Sequence, residues 1–399
     1  MKAILIGVGG VGTVIARILA KTGKFEHIVL ADVGDKHINE LARGLGSGFS
    51  ARLVDASSVD NLMEAVEGID LVINATLPRY NLNIMDAALA ARAHYLDLAS
   101  QGPVHLPGII TIQDQIKEYD EKFKAIDRSA FLSTGIDPGA TNVFARYLAD
   151  QMDTVDDVLI RDADVSTVQG FKFALSFSPD TAIEECLEPY LSYENGRFVQ
   201  GEPLSAQEEF TFPEPIGKQK VYYVSHEEVG TLPLHLGRQI KNCNFGYALP
   251  DELVNVLKVL QLLGLDGAEP VEVKGVKVAP RDVVTALLPT PLELSGKIKG
   301  YTCVGTLVRG TIGGEKVEKF MYSLESHEDA YLKFKTQGTS YQTAVPAAVA
   351  ADLFAEGLIM QRGAFPAEVI DPKPFVEKLS QYGLNIKIED RNPVQAGGH

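Results

Sequence analysis

The stretch "ILIGVGGVGTVIA", residues 4–16, joins an apolar β-branched run to a run of helical period through four glycines within six positions. Gly7, Gly9 and Gly12 fit G-x-G-x-x-G between a strand and a helix, the setting in which that pattern marks a phosphate-binding turn. Each glycine has its own task. Gly7 permits the tight turn, Gly9 lets a pyrophosphate approach the backbone, and Gly12 allows the helix to pack closely on the strand. The helix start, with Gly10 and Val11, offers unpaired N–H groups and the positive end of a dipole. A chain that begins this way is expected to bind a dinucleotide.

The residues that follow support that frame. Short apolar runs recur at residues 3–7, 27–32, 51–55, 70–75, 94–99 and 130–135, with helical periodicity between them. Strands alternating with helices predict a parallel sheet covered on both faces. The expected fold is therefore α/β: a Rossmann, doubly wound parallel sheet of six strands. Asp32 stands twenty residues after Gly12, at the end of the second strand. A carboxylate there accepts hydrogen bonds from both ribose hydroxyls of NAD and repels the extra phosphate of NADP. Val33 and Gly34 supply no arginine to receive that phosphate, although Lys36 lies close by, so NAD is expected and NADP is the lesser expectation. Asp55 and Ala56 end the third strand beside the expected adenine. Thr76, Leu77 and Pro78 end the fourth, near the nicotinamide half.

Beyond residue 152 the pattern changes to alternating stretches at 171–177, 220–225, 271–278 and 300–310, with a hairpin expected to close at Gly313-Gly314. One strong helix, residues 250–264, interrupts them, and helical pattern returns at 343–357 and 372–383. The expectation is an inserted, mixed α+β domain with an antiparallel sheet at residues 153–340. Residues 1–152 and 341–399 would form the nucleotide domain with returning C-terminal helices.

Composition narrows the partner. A formal charge of −16 and a pI near 5.0 oppose a nucleic acid or an anionic membrane surface, since phosphate contacts need clustered Lys and Arg. No apolar stretch approaches the roughly 20 residues needed to cross a bilayer, and the apolar N-terminus runs straight into a glycine turn rather than a cleavage site. Three widely spaced cysteines, Cys186, Cys243 and Cys303, form no disulfide framework or metal knuckle. A small-molecule ligand and a cytoplasmic location are expected, with no metal.

Several segments resemble the saccharopine dehydrogenase-like oxidoreductases, which include saccharopine reductases, lysine 6-dehydrogenases and carboxynorspermidine dehydrogenases. The resemblance rests on "STGIDPGATNVFA" (133–145), "YLDLA" (95–99), "VAPRDVVTALLP" (278–289) and "SYQTAVPAAVAADL" (340–353). "FSPDTAIEECLEPYLSYENGRFV" and the acidic end of "VLAD" look more like the lysine enzymes. "DPGATNVFA", "SHEE", "SHEDAY" and "DPKPFVEKLSQYGL" look more like the carboxynorspermidine enzymes, which usually carry Ser-Arg where this chain has Asp32-Val33. The resemblance implies NAD-dependent hydride exchange at a carbon bearing nitrogen, on a basic amino acid or an opine-type adduct; the alternatives are a lysine 6-dehydrogenase giving aminoadipate semialdehyde and an NADP-dependent carboxynorspermidine dehydrogenase. It also implies a homodimer. A different outcome, a silent NAD-binding sensor, would keep the fold without turnover.

Candidate residues then follow. Tyr80 and Asn81 are placed to reach a substrate over the nicotinamide, or else simply to start a helix. Asp97 can pair with an ammonium or take a proton, or cap a strand end. Asp137 and Asn142 can contact the substrate, with Gly139 allowing close backbone approach; the same residues make a plain turn before a helix. His226 stands beside Glu227 and Glu228, and His327 beside Glu328 and Asp329. An imidazole next to carboxylates can be tuned as an acid or base, or can be structural. His226 is the catalytic candidate, without a metal-ligand spacing. Arg238 and Arg281 are possible clamps for a substrate carboxylate.

Overall fold

The near-continuous apolar runs of the first half form short strands buried on both faces. Leu71–Asn74 and Ser129–Leu132 have no exposed residue at all, which is why these segments lack a two-residue alternation. The structure, a computed structural model, describes residues 1–106 and 109–391. Its first sheet runs in the order Phe49–Leu53, His27–Asp32, Lys2–Ile6, Leu71–Asn74, His94–Asp97, Ser129–Leu132 and Gly363–Pro366. All neighbours are parallel. The order reverses between Lys2–Ile6 and Leu71–Asn74, and such a reversal opens a crevice at the carboxyl ends of the strands.

The parallel sheet therefore has seven strands, not six. The seventh, "GAFP", is four buried residues flanked by a glycine and a proline, too short to carry a period. Its partner Ser129–Leu132 lies far earlier in the chain, so nothing local announces the pairing.

The second sheet is built on the long strand Thr154–Val168 and the hairpin Ile298–Ile312 and Glu315–Ser326, which closes at Gly313-Gly314 with both residues at positive φ. It is mixed rather than simply antiparallel, because Asn242–Ala248 pairs in parallel with Thr154–Val168. The intervening chain holds two helices and several strands, long enough for the crossover that a parallel pair requires. Residues 171–177 do not form the expected strand. They make an irregular segment of bends that brings Phe177 to the wall of the central cleft.

The C-terminal part serves both sheets. Helix Gly338–Ala355 is buried along nearly all its length and packs against helix Gly10–Thr22, as expected of a helix apolar all round. After Gly363–Pro366 joins the first sheet, the last strand, Ile386–Arg391, pairs with Glu315–Ser326 in the second. Residues 392–399 of the expected C-terminal segment lie outside the described residues. Among the described residues no helix is long and apolar enough to cross a membrane.

Candidate active site

A cleft of about 500 Å³ lies at the carboxyl ends of the parallel strands and is walled on its far side by the second sheet. Its two ends differ in construction.

The glycine turn forms one end. A Cβ at Gly12 would stand 2.0 Å from the Gly7 carbonyl oxygen, and one at Gly7 would stand 2.6 Å from the Ala75 backbone, so both positions exclude any side chain. Nothing lies within 4 Å of a Cβ placed on Gly9, which leaves space over the turn. The helix starting at Gly10 has no side-chain cap and no acidic residue in its first turn, leaving its first amides free for an anion. Asp32 ends its strand beside them. Its Oδ2 accepts from the Val8 N–H at 2.7 Å and its Oδ1 from the Gly34 N–H at 3.3 Å, so the carboxylate is fixed against the turn.

Gly7, Gly9, Gly10, Val11, Gly12, Asp32 and Val33 all line the cleft, as do Asp55, Ala56, Thr76, Leu77 and Pro78. Thr76 is held by Asn74, whose side-chain oxygen accepts from its N–H at 3.0 Å and its hydroxyl at 2.7 Å. Asp55 accepts from the Ser57 hydroxyl and N–H, which hold its carboxyl below the usual range. The open space over Gly9, the uncapped helix and the carboxylate at 32 fit a dinucleotide.

At the other end, His226 precedes helix Glu227–His235, with its ring stacked on Phe245 at 3.7 Å and 5°. Its Nδ1 faces the Glu228 carboxylate, with Glu227 at 3.7 Å. The Thr141 hydroxyl donates to the other Glu228 oxygen at 2.8 Å. Burial opposes charge on the imidazole, but Glu228, Glu185 and Glu227 together hold it protonated well above its ordinary value. Donor atoms of His226, Glu227 and Glu228 lie within 4.8 Å of one another. They are engaged by each other, by Thr141 and by the Ser100 N–H, which donates to Glu227 at 2.7 Å. The cluster is an ion-paired group.

Tyr80 and Asp137 also line the cleft. Seven candidate residues do not. Asp97 is buried beneath the floor that Leu98 and Ala99 form. Its oxygens accept from the Ser133 N–H at 2.6 Å, the Tyr95 hydroxyl at 3.0 Å and Asn81 at 3.2 Å. Burial, aided by Glu227, nevertheless pushes its carboxyl up to about 7. Asn81 belongs to the same buried network and accepts from Asn74 at 2.8 Å. Asn142 is spent on the Gly139 N–H, Thr231 and Glu368. Gly139 is pressed onto Gly135, whose carbonyl oxygen would stand 2.3 Å from an added Cβ. Arg238 is exposed in a bend outside the cleft, because it follows a helix whose other end carries the site. Arg281 pairs with Glu184 at 3.2 Å. His327 is a buried link, accepting from the Gly338 N–H at 3.0 Å and facing Asp164 at 3.2 Å.

Asp162, Glu185, Phe177 and Tyr247 line the cleft and were not anticipated. A signal for one was present: in "VLIRDADV" the face that carries Val158 and Ile160 continues with Asp162 and Asp164, two acids in the apolar phase of a strand. Glu185 sits inside the otherwise buried face of helix Pro179–Leu187.

Fold and cleft together define a chain built on a dinucleotide-binding domain. Residues 3–130 match the saccharopine dehydrogenase NADP binding domain, and residues 135–384 match the saccharopine dehydrogenase C-terminal domain. The chain belongs to the saccharopine dehydrogenase family. It is 33% identical to a carboxynorspermidine synthase of Vibrio alginolyticus, covering 99% of this chain and 98% of that one. It is 31% identical to a carboxyaminopropylagmatine dehydrogenase of Synechocystis sp., covering 96% of each. In fold it is similar to saccharopine dehydrogenase (L-Glu forming) of Saccharomyces cerevisiae, with TM-score 0.71, 13% identity, and 98% and 100% of the two chains covered. It is also similar to a homospermidine synthase of Legionella pneumophila solved with NAD, with TM-score 0.68, 14% identity, and 100% and 93% covered.

Proposed function

We propose that the chain interconverts a secondary amine and its imine, using NAD, on a substrate of the carboxyalkyl-polyamine type. The observation that carries this reading is the shared cleft, which has Asp32 and the uncapped glycine turn at one end and His226, paired with Glu228, at the other. The names of the relatives favour the polyamine branch over a lysine or saccharopine substrate. Asp32 favours NAD over NADP by offering a carboxylate to ribose hydroxyls where a phosphate would be repelled. Val33, 73% exposed at the cleft lip, offers no counter-charge.

When bound, the dinucleotide supplies the hydride carrier. The residues of the chain position and protonate. The amides of the glycine turn and the start of helix Gly10–Thr22 hold the pyrophosphate, and Asp32 holds the ribose. Reduction of C=N adds a hydride to carbon and a proton to nitrogen, and oxidation removes both. His226 donates that proton and takes it back. Glu228, Glu185 and Glu227 hold the His226 imidazolium protonated above its ordinary range, so a proton is available to the nitrogen. Phe245 fixes the ring plane, and Thr141 holds Glu228 in place.

Purified protein with NAD or NADP, offered carboxynorspermidine, saccharopine and lysine and followed by nicotinamide absorbance, tests the reading. Turnover of carboxynorspermidine with NAD is expected. Silence with every amine under both cofactors would overturn it.

A further inference from the structure

Asn74, Asn81, Tyr95 and Asp97 are sealed beneath the floor of the cleft, each no more than 1% exposed, and take no part in the proton transfer above. Asn74 ends strand Leu71–Asn74, Tyr95 and Asp97 stand on the neighbouring strand His94–Asp97, and Asn81 opens helix Asn81–Ala90. Buried polar groups are costly unless every member finds a partner. Here the partners form a relay with one direction.

Asp97 begins it. An ionised carboxylate only accepts, and its neighbours all donate: the Ser133 N–H to Oδ1 at 2.6 Å, and the Tyr95 hydroxyl and Asn81 amide to Oδ2 at 3.0 Å and 3.2 Å. Tyr95 has a single hydrogen, so giving it to Asp97 leaves only lone pairs for Asn74, whose amide donates to it at 2.9 Å. Asn81 gives its amino group to Asp97 and to the Ala99 carbonyl at 2.9 Å, which leaves its own carbonyl oxygen to accept from Asn74 at 2.8 Å. These acceptors hold the amino group of Asn74 and turn its oxygen to Thr76. There it accepts the Thr76 N–H at 3.0 Å and the Thr76 hydroxyl at 2.7 Å.

Thr76 is the member that meets the cleft, which it lines beside Leu77 and Pro78. With its hydrogen given to Asn74, the hydroxyl oxygen can only accept from a ligand. The nicotinamide half of a dinucleotide carries donors, in its carboxamide and its ribose hydroxyls.

We propose that Asp97 is a positioning residue: through Tyr95, Asn81 and Asn74 it fixes Thr76 as a hydrogen-bond acceptor for the nicotinamide half of the cofactor. This rests on the dinucleotide reading of the cleft. Asp97 lies below the floor and acts only through the relay.

The charge, and not only the shape, is needed. The Ser133 N–H belongs to the backbone and keeps an oxygen opposite it, so an asparagine at 97 would turn its amino group to Tyr95 and Asn81, donor against donor. Tyr95 would have to reverse, and its hydrogen would then meet the Asn74 amino group. The conflict passes along the relay to Thr76.

The test is calorimetry with NADH and with ADP, which lacks the nicotinamide half, on the whole chain and on Asp97→Asn, Thr76→Val and the two combined. NADH affinity should fall about three- to tenfold in Asp97→Asn, while ADP affinity holds. The double variant should bind NADH no more weakly than Thr76→Val alone, because one residue acts through the other. Tyr95→Phe cuts the relay while keeping the carboxylate and should give the same split between NADH and ADP, so a failure of Asp97→Asn to fold leaves the test standing. Equal losses for NADH and ADP, full NADH affinity in Asp97→Asn and Tyr95→Phe, or additive losses in the double variant would overturn the assignment. Failure of the unaltered chain to bind either nucleotide would instead overturn the dinucleotide reading on which it rests.

Discussion

Asp32 and Asp162 both stand on strands that lead into one cleft, yet they are carboxylates of opposite kinds. Asp32 ends a parallel strand, accepts two backbone N–H groups and sits beside a helix N-terminus, so its environment is arranged for negative charge. Asp162 lies near Asp164 and Glu228 without an arginine or lysine in the cleft, so burial and these acids resist its charge and His226 only partly offsets them. The nucleotide end is complete in the protein alone.

Substitutions separate the two ends. The largest effect is expected at Gly12→Val, where the new side chain collides with the Gly7 carbonyl. NADH binding, read by fluorescence, should fall by about 100-fold or more, since overpacking costs of order 1–3 kcal/mol and the turn must also move. Binding that survives unchanged would show that the turn does not hold the nucleotide. Next is His226→Gln, which should lower kcat by about 10²- to 10⁴-fold, the usual range for a positioned acid or base. NADH affinity should be preserved, so a parallel loss of nucleotide binding would mean that the two ends are not separable.

Asp32→Ser acts on the other end alone. NADH affinity should weaken about tenfold with loss of charge-assisted hydrogen bonds, while NADPH affinity rises; unchanged selectivity would remove Asp32 from cofactor choice. The smallest effect concerns stability. Asp162 and Glu185 have raised values in the folded chain, so the stability they contribute is present at low pH and is lost as pH rises through about 8. Asp97, raised to about 7, adds to the same trend somewhat earlier. The melting temperature of the protein should therefore fall by a few degrees between pH 6 and pH 9, on the order set by 1 kcal/mol changes.

How much was readable in the sequence follows the same division. The glycine turn, Asp32 and the ends of the third and fourth strands lie within the first eighty residues, and the spacing of the repeated strand-helix unit determines where each one points. All of these residues line the cleft. The amine end draws on residues 137, 162, 177, 185, 226 and 247, brought together by long-range pairing such as Asn242–Ala248 with Thr154–Val168. No local period encodes that meeting. Asp97, Asn81 and Asn142 show the converse: polar residues at strand ends and helix starts read as site residues, but they satisfy one another and the backbone beneath the cleft. The seventh strand is silent in the sequence for a related reason, because four residues in a fully buried position carry no alternation.

In the proposed reaction the carbon attached to the substrate's secondary nitrogen exchanges hydride with a nicotinamide held by Asp32 and the glycine turn. Carboxynorspermidine deuterated on the carbons flanking that nitrogen, incubated with the protein and NAD, tests this directly by mass analysis of the reduced cofactor. One deuterium is expected in each NADH formed. Unlabelled NADH, or no NADH at all, would contradict it.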